Sequence, residues 1–443
     1  TGKPNEIIIP KDDEERLVLA KRLVADRCVY GVDKNLLAVE IAKLSIWLTT
    51  MDKGRPFTFL DHALKCGDSL VGADEDMYRK WAYSLKGAQF TLYLTTLEEF
   101  TATARQKRKE LESFTVLDVR DAEHKAELLK EADAAMARVK LGCDLLVGVR
   151  LLGLKTAEQE NLLSHLLWDY VAGLPMNTPD AQRALHAARK ERAFHWPFEF
   201  PEVFATGGRG GFSAFVGNPP FLSGKRISTV LGVKYNTFLK ESFINSKGAA
   251  DLCAYFFLRA SYLLINYGFF GLIATNTIAQ GDTKEVGLDQ ITKKGQITFA
   301  VSSMPWPGAA GVQVSLICFS KGKWFGIKML DNQPITLINS SLSFSIDLST
   351  ARQIKKNLDL STEGIKVHGE GFIISLQEVQ NILLKSPRYQ EVLSPYLIGD
   401  DINSNYDLHP SQYVVNFRNM DLNQASSYPD VFNIIVEKVK PYR

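Results

Sequence analysis

The chain has 443 residues, long enough for two or three domains with a large core. Hydrophobic residues make up 45% and charged residues 23%, and the formal net charge is only +2, so no global basic field exists and any nucleic-acid contact must gather its positive charge in a cleft. No apolar run reaches membrane-spanning length and no signal peptide opens the sequence; Cys28, Cys66, Cys143, Cys253 and Cys318 form no C-x-x-C pair, which argues against a zinc ribbon or a disulfide framework and fits a reducing cytoplasm.

In chain order, Thr1 to Pro10 reads as a loop and Asp12 to Asp26 as a helix with Leu17, Ala20 and Val24 on one side. Cys28 to Asp33 reads as a short strand ending on an acid. Asn35 is a fair N-cap for the next helix, where Leu37, Ile41, Leu44 and Leu48 recur at helical spacing. A carboxylate at the C-terminal end of a parallel strand lies where open α/β sheets bind ligands and can accept both hydroxyls of a ribose. A plain helix-start Asp is an equal reading. A second acid follows in Cys66-Gly67-Asp68-Ser69-Leu70, where Gly67 lets the backbone approach a ligand and Asp68 is a candidate acceptor for an adenine amine; a turn Asp explains it about as well.

From about Trp81 to Arg192, charged helical stretches such as Thr103 to Ser113 and Asp121 to Lys140 predict an all-helical insertion. Its basic cluster, Arg105, Lys107, Arg108 and Lys109, reads as a solvated face because acids interleave with it. Phe194 to Phe204 is aromatic and proline-rich and predicts an extended packed segment, with His195 a packed residue and not a metal ligand. Gly207 to Gly211 precedes a strand instead of following one, so it reads as a connector and not a phosphate loop.

Phe212 to Gly217 predicts a short buried strand that stops at Asn218-Pro219-Pro220-Phe221. Two consecutive prolines have no N–H to donate to a ladder, and a residue before proline is pushed to extended geometry. The expected result is a stiff rim carrying an amide side chain, backbone acceptors and an aromatic face. Such a rim suits a planar exocyclic amine. The Asn218 side-chain oxygen and the Pro219 carbonyl would take both amine hydrogens and draw the nitrogen towards tetrahedral geometry, freeing its lone pair to attack an electrophile held in line. Phe221 would stack on an extruded base. The bland alternative is an ordinary Asn-Pro turn.

Leu222 to Lys247 reads as a loop-rich stretch whose Lys225, Arg226, Lys234 and Lys240 line a DNA groove or merely meet solvent. Asp251 to Asn266 predicts an apolar helix, Gly268 to Ala274 a buried strand, and Val312 to Ser320 with Trp324 to Met329 a hairpin around Lys321-Gly322-Lys323. Strand, helix, strand, then antiparallel closure predicts a doubly wound α/β sheet. Beyond Asp331 the chain predicts a separate α/β region without a catalytic motif, and no P-D…E-x-K nuclease pattern occurs.

The order of these pieces resembles the γ-class N6-adenine DNA methyltransferases, of the large type IIG restriction–modification and BREX-like phage-defence kind. Tyr30 to Asn35, Gly67 to Leu70, the His195-Trp196-Pro197 segment and Asn218 to Phe221 carry the resemblance, which runs to about Lys323. It implies a Rossmann-like class I methyltransferase sheet divided as 1–80 (cofactor-binding part), 81–193 (helical insertion), 194–330 (catalytic part) and 331–443 (start of a target-recognition region). It also implies S-adenosylmethionine as cofactor, with Asp33 on the ribose, Asp68 on the adenine amine, and Lys34, Ser69 and Asn218 beside them. Asn218, Pro219, Pro220 and Phe221 would hold a flipped adenine of double-stranded DNA for direct transfer to N6 without a metal. The family's glycine-rich first cofactor motif does not occur in Thr1 to Arg27, so the first strand of the sheet and the end of the recognition region are expected to lie outside these residues. This stretch alone is then expected to bind cofactor weakly and to be inactive. Alternatives are a protein glutamine N5-methyltransferase and an inactive DNA-binding subunit. Cytosine-C5 transfer is discarded because no Pro-Cys dipeptide occurs.

Overall fold

The computed structural model describes residues 9–50, 60–82, 88–113, 119–204, 210–243, 248–308, 311–344, 367, 370–404, 406–407 and 409–440. Residues 1–8 of the loop expected over Thr1 to Pro10 and residues 207–209 of the connector expected over Gly207 to Gly211 lie outside them, as do 205–206 and 244–247. The chain divides into two compact units, Thr1–Leu348 and Ser349–Arg443.

The first unit opens with α1 (Asp13–Arg27), β1 (Gly31–Asp33), α2 (Leu36–Thr49) and β2 (Leu64–Cys66). Asp12 caps α1 and Asn35 caps α2, each side chain accepting amides of the first turn. Strands β1 and β2 pair in parallel as a two-stranded sheet, with Asp33 opposite Cys66. A helical run follows: α3 (Glu75–Ala82), α4 (Ala88–Ser113), α5 (Val119–Leu151), α6 (Thr156–Val171) and α7 (Pro179–Lys190). Then come the short helices α8 (Trp196–Glu199) and α9 (Pro201–Phe204), β3 (Phe212–Gly217), α10 (Gly224–Val230), α11 (Val233–Ser242), α12 (Leu252–Leu263) and β4 (Leu264–Thr275). The unit closes with α13 (Gly281–Val286), α14 (Leu288–Ile291), β5 (Gly295–Pro305), β6 (Gln313–Lys321), β7 (Lys328–Leu330) and β8 (Gln333–Ile335). The main sheet has six strands in the order β3-β4-β6-β5-β7-β8. Strands β3 and β4 are parallel and β6 runs antiparallel to β4, which gives the expected mixed α/β sheet with antiparallel closure. Its core is aromatic: Phe270 stacks on Phe319 at 4.9 Å between ring centroids, and Phe257 meets Phe270 edge-on at 5.4 Å.

The second unit pairs β9 (Ile373–Ser375), β10 (Leu393–Tyr396) and β11 (Gln412–Val415) in an antiparallel sheet. Around Val392 and Val431 it packs α15 (Leu376–Lys385), capped by a Ser375–Glu378 capping box, and α16 (Pro429–Lys438). Among the described residues of the chain no helix is long and apolar enough to cross a membrane.

Several expectations need correction. The strand before the motif is not buried: among the described residues β3 is an edge strand paired with β4 alone, and its Val216 is 91% exposed. A short apolar run does not distinguish a central strand from an edge one. The Leu37, Ile41, Leu44 and Leu48 stripe of α2 faces outward, while Val39, Ala42 and Ile46 pack on Leu60 and Leu64. Helix α2 has apolar residues on more than one side, Glu40 and Lys43 being its only charges, so its periodicity offers two stripes and chooses neither. Leu17 and Val24 of α1 are exposed as well, and Ala25 with Arg22 is buried instead. Residues 196–204 form two short helices where an extended segment was expected, Pro197 and Pro201 standing at first-turn positions that need no amide donor. Residues 222–243 hold α10 and α11, not mainly loop. The expected hairpin is absent: β6 pairs with β4 and β5, and β7 pairs parallel to β5. The strand over Gly295–Pro305 supplies the neighbour that the local reading gave to residues 324–329. Arg108 does not lie on a solvated face. It is buried, donates to Glu202 at 3.1 Å and to the His62 carbonyl at 2.8 Å, and so ties α4 to α9 and to the turn before β2.

Candidate functional site

Parallel pairing of β1 with β2 brings the two acids to one end of that sheet. Asp33, at the C-terminal end of β1, is exposed, and its Oδ1 accepts the Asn35 amide at 2.6 Å. Asp68, just past β2, is buried. A buried carboxylate must be compensated, and three donors do it. The Leu70 amide reaches Oδ1 at 3.0 Å, the Lys34 ammonium reaches Oδ2 at 2.9 Å, and the Tyr235 hydroxyl lies 3.2 and 3.0 Å from the two oxygens. Lys34 also meets Glu191 at 3.1 Å. Burial pulls its pKa down, but Asp68 and then Glu191 outweigh that and raise it, so the ammonium stays charged.

The segment 192–196 clamps the Asp68 turn. Arg192 adopts a left-handed φ of 56° after α7, which costs a non-glycine residue about 1 kcal/mol. Its side chain donates to the Lys34 carbonyl at 2.8 Å and to Cys66 Sγ at 2.9 Å, and its carbonyl accepts the Asp68 amide at 2.7 Å. The Phe194 amide donates to the Val71 carbonyl at 2.7 Å, and the Trp196 indole to the Ser69 carbonyl at 3.1 Å. His195, as expected, is packed: its Nδ1 accepts the Ala73 amide at 3.0 Å, which leaves Nε2 to donate to Asp144 at 3.0 Å. A Cβ on Gly72 would stand 1.9 Å from the Phe194 carbonyl oxygen, and one on Gly67 would stand 2.5 Å from the Phe194 ring. The close approach that Gly67 permits is therefore made by Phe194, where the sequence suggested a ligand.

Asn218 to Phe221 lies at the C-terminal end of β3. Asn218 and Pro220 are exposed, Pro219 is buried, and among the described residues no group bonds to the Asn218 side chain. Phe221 is 36% exposed and meets Trp306 edge-on at 6.3 Å. Beyond the rim, the Leu222 carbonyl accepts the Leu252 amide at 2.9 Å and the Gly224 amide donates to Asp251 at 3.1 Å. Asp251 also accepts from Thr277 at 2.8 Å, so the loop leaving the rim is fastened to the end of β4.

The sequence-derived candidates thus form two groups. Asp33, Lys34, Asp68 and Ser69 converge beside β1 and β2; Asn218 to Phe221 forms the rim on β3. Trp196 links them, its indole on Ser69 and its ring 6.0 Å from Phe215 of β3, and so does Tyr235, which reaches Asp68 from α11. Tyr235, Glu191, Arg192 and Trp306 were missed. For Trp306 a signal existed: an aromatic between Pro305 and Pro307 at a strand end echoes the rim itself.

The profile described as Eco57I restriction-modification methylase matches residues 27–301. This chain belongs to the Eco57I restriction-modification methylase family. The match runs from the end of α1 into β5 and so includes both groups of candidate residues. The chain is similar to a Methanocaldococcus jannaschii protein named "Putative type II restriction enzyme and methyltransferase", at 23% identity over 274 residues, 57% of this chain and 22% of that protein. It therefore spans about a fifth of that relative's length. Among solved structures it is similar to the type IIL restriction-modification enzyme MmeI in complex with DNA (TM-score 0.34, 18% identity, 52% of this chain and 33% of that one). It is also similar to a "putative class I S-adenosylmethionine-dependent methyltransferase" of Listeria monocytogenes (TM-score 0.21, 9% identity, 60% of this chain and 92% of that one).

Proposed function

We propose that this chain carries the methyl-transfer centre of an S-adenosylmethionine-dependent DNA methyltransferase acting on adenine N6, within a restriction–modification or phage-defence system. The observation that carries the reading is the rim: an exposed Asn218 whose side chain bonds to no group among the described residues, set by two prolines at a strand end, beside the Phe221–Trp306 aromatic pair.

The residues present fit the cofactor. Asp33 is exposed at its strand end with its second oxygen open to a ribose, and Asp68 keeps acceptor capacity for an adenine amine beside its three donors. When bound, S-adenosylmethionine supplies an electrophilic methyl group on a sulfonium. The chain's own residues do the rest. The Asn218 oxygen and the Pro219 carbonyl accept the two hydrogens of the target amine, orient its lone pair and stabilise the positive charge that grows on nitrogen. Phe221 offers a face to the extruded base, and Trp306 supports Phe221 from its edge. Membership of a restriction-modification methylase family, and a relative whose name joins restriction with methyl transfer, support double-stranded DNA as substrate and protection of the host's own DNA as purpose.

The decisive experiment is Asn218→Ala in the intact protein, followed by transfer of labelled methyl groups to DNA and by a DNA mobility shift. Loss of about 10²–10³-fold in transfer is expected, with DNA binding within about threefold. Unchanged transfer would sink the assignment, and label appearing in protein but not in DNA would redirect it to a glutamine amide.

A further inference from the structure

The reading above uses Asp68 but gives no part in binding to Tyr235, the buried phenol that touches it. Tyr235 lies in α11, the second helix after the rim, and is buried. Burial, and then the charge of Asp68, push its pKa well above that of a free phenol, so the hydroxyl keeps its hydrogen and acts as a donor. That single hydrogen is shared between the two Asp68 oxygens at 3.2 and 3.0 Å. The other two donors to Asp68 are local to the strands: Lys34 follows β1 and the Leu70 amide follows β2. Among the described residues, Tyr235 is the one side chain from the half of the chain that carries the rim to bond Asp68. Arg259 of α12 makes a parallel contact, donating to the Leu70 carbonyl at 2.9 Å. The Tyr235 ring has a second use, since the Lys34 ammonium sits 5.1 Å from its centroid. A carboxylate offers about four acceptor positions, and three donors fill most of them, so the orientation of Asp68 decides where the remaining one lies.

We propose that Tyr235 is a positioning residue: its hydroxyl fixes the Asp68 carboxylate so that the remaining acceptor position serves the exocyclic amine of an adenine nucleoside, and it joins the cofactor side of the site to the helices behind the rim. This rests on the cofactor reading of Asp68. Because the ring and the hydroxyl act separately, Tyr235→Phe keeps the packing and the contact with Lys34 while deleting the one hydrogen at issue.

The test is a calorimetric titration of the intact protein and of Tyr235→Phe with S-adenosylhomocysteine and with its analogue bearing hydrogen in place of the 6-amino group. The variant should lose about tenfold in affinity for the amino ligand and less than about twofold for the analogue, beside whatever stability the lost hydrogen bond to Asp68 carries, since a stability loss alone would weaken both ligands alike. In an Asp68→Asn background, Tyr235→Phe should have no further effect on either ligand. Equal losses with both ligands, or no loss with either, would overturn the proposal while leaving the cofactor reading intact. Failure of the unaltered protein to bind both ligands would remove the cofactor reading and this inference with it, a result recognisable because it precedes any substitution.

Discussion

Asp68 and Asn218 are both polar residues at strand ends, yet one is buried under three donors and the other is exposed with its side chain unengaged. The difference follows from what each place must hold. A carboxylate removed from water without partners costs several kcal/mol, so Asp68 is tolerable only with its donors built in. An amide at the surface costs nothing to leave open, and its acceptor must stay open if a substrate amine is to use it. The surroundings of Asp68 are thus shaped by the chain's own donors, while the rim is stiff and turns its amide to solvent. Substitutions in the cradle around Asp68 should register as stability, and those at the rim as transfer.

The largest expected effect on the cradle side is Gly72→Ala. The new Cβ would stand 1.9 Å from the Phe194 carbonyl oxygen, a backbone atom that cannot rotate aside, so the clamp over Asp68 must open. A loss of about 4 kcal/mol in urea unfolding is expected. Wild-type stability would show that the clamp is loose and the contrast with the rim overstated. Next is Arg108→Met, which takes its guanidinium partner from the buried Glu202 carboxylate and should cost about 3 kcal/mol; adding Glu202→Gln should restore part of it. Glu199 tests the same region by pH. Burial works to raise its pKa, but Lys65 at 2.7 Å and Lys140 at 2.9 Å more than offset this and hold it at about 2. A folded value below the unfolded one, roughly 4.3, means a contribution that is complete above the unfolded value and is lost as pH falls through the folded one. Glu199→Gln should therefore lower stability by about 3 kcal/mol at pH 7, with the gap to wild type closing between about pH 4.5 and 2. A gap that is constant across that range would show that the ion pairs carry none of it.

The same contrast explains what could be read from the sequence. The corner at Asn218 follows from local rules, because two prolines act on their own neighbours whatever the rest of the chain does. The order Asp33, Asn35, α2 is local in the same way, since the cap lies two residues from the acid. What escaped depends on distant partners. Tyr235 and Asp68 are 167 positions apart, and nothing in the spacing of either predicts a hydroxyl on a carboxylate. Arg108 looked solvated because acids interleave with it on its own helix, while its actual partner, Glu202, is 94 positions away. The outward stripe of α2 and the exposure of Val216 fail for a related reason: periodicity shows that a face is apolar, not which face meets the core. The hairpin assigned after β6 failed because two register shifts break the pattern of β5, hiding the true neighbour.

The smallest effect sharpens the rim. Phe221 is partly exposed and touches Trp306 only edge-on, so neither ring has a large share in the core. Phe221→Ala should leave the unfolding midpoint within about 1 °C, yet raise KM for DNA by roughly tenfold or more, since base–aromatic stacking is worth about 1–3 kcal/mol. Trp306→Ala should do less, because its ring supports Phe221 and is not the face offered to the base; roughly threefold is expected. The order of the two matters more than the size of either. If Trp306→Ala costs more than Phe221→Ala, the stacking face belongs to Trp306, and the extruded base would lie on the side of β5 and not on the corner that the prolines set. Fluorescence of 2-aminopurine at the target position, compared between the two variants, distinguishes the arrangements, because the base is released and brightens in the variant that removes its stacking ring and stays quenched in the other.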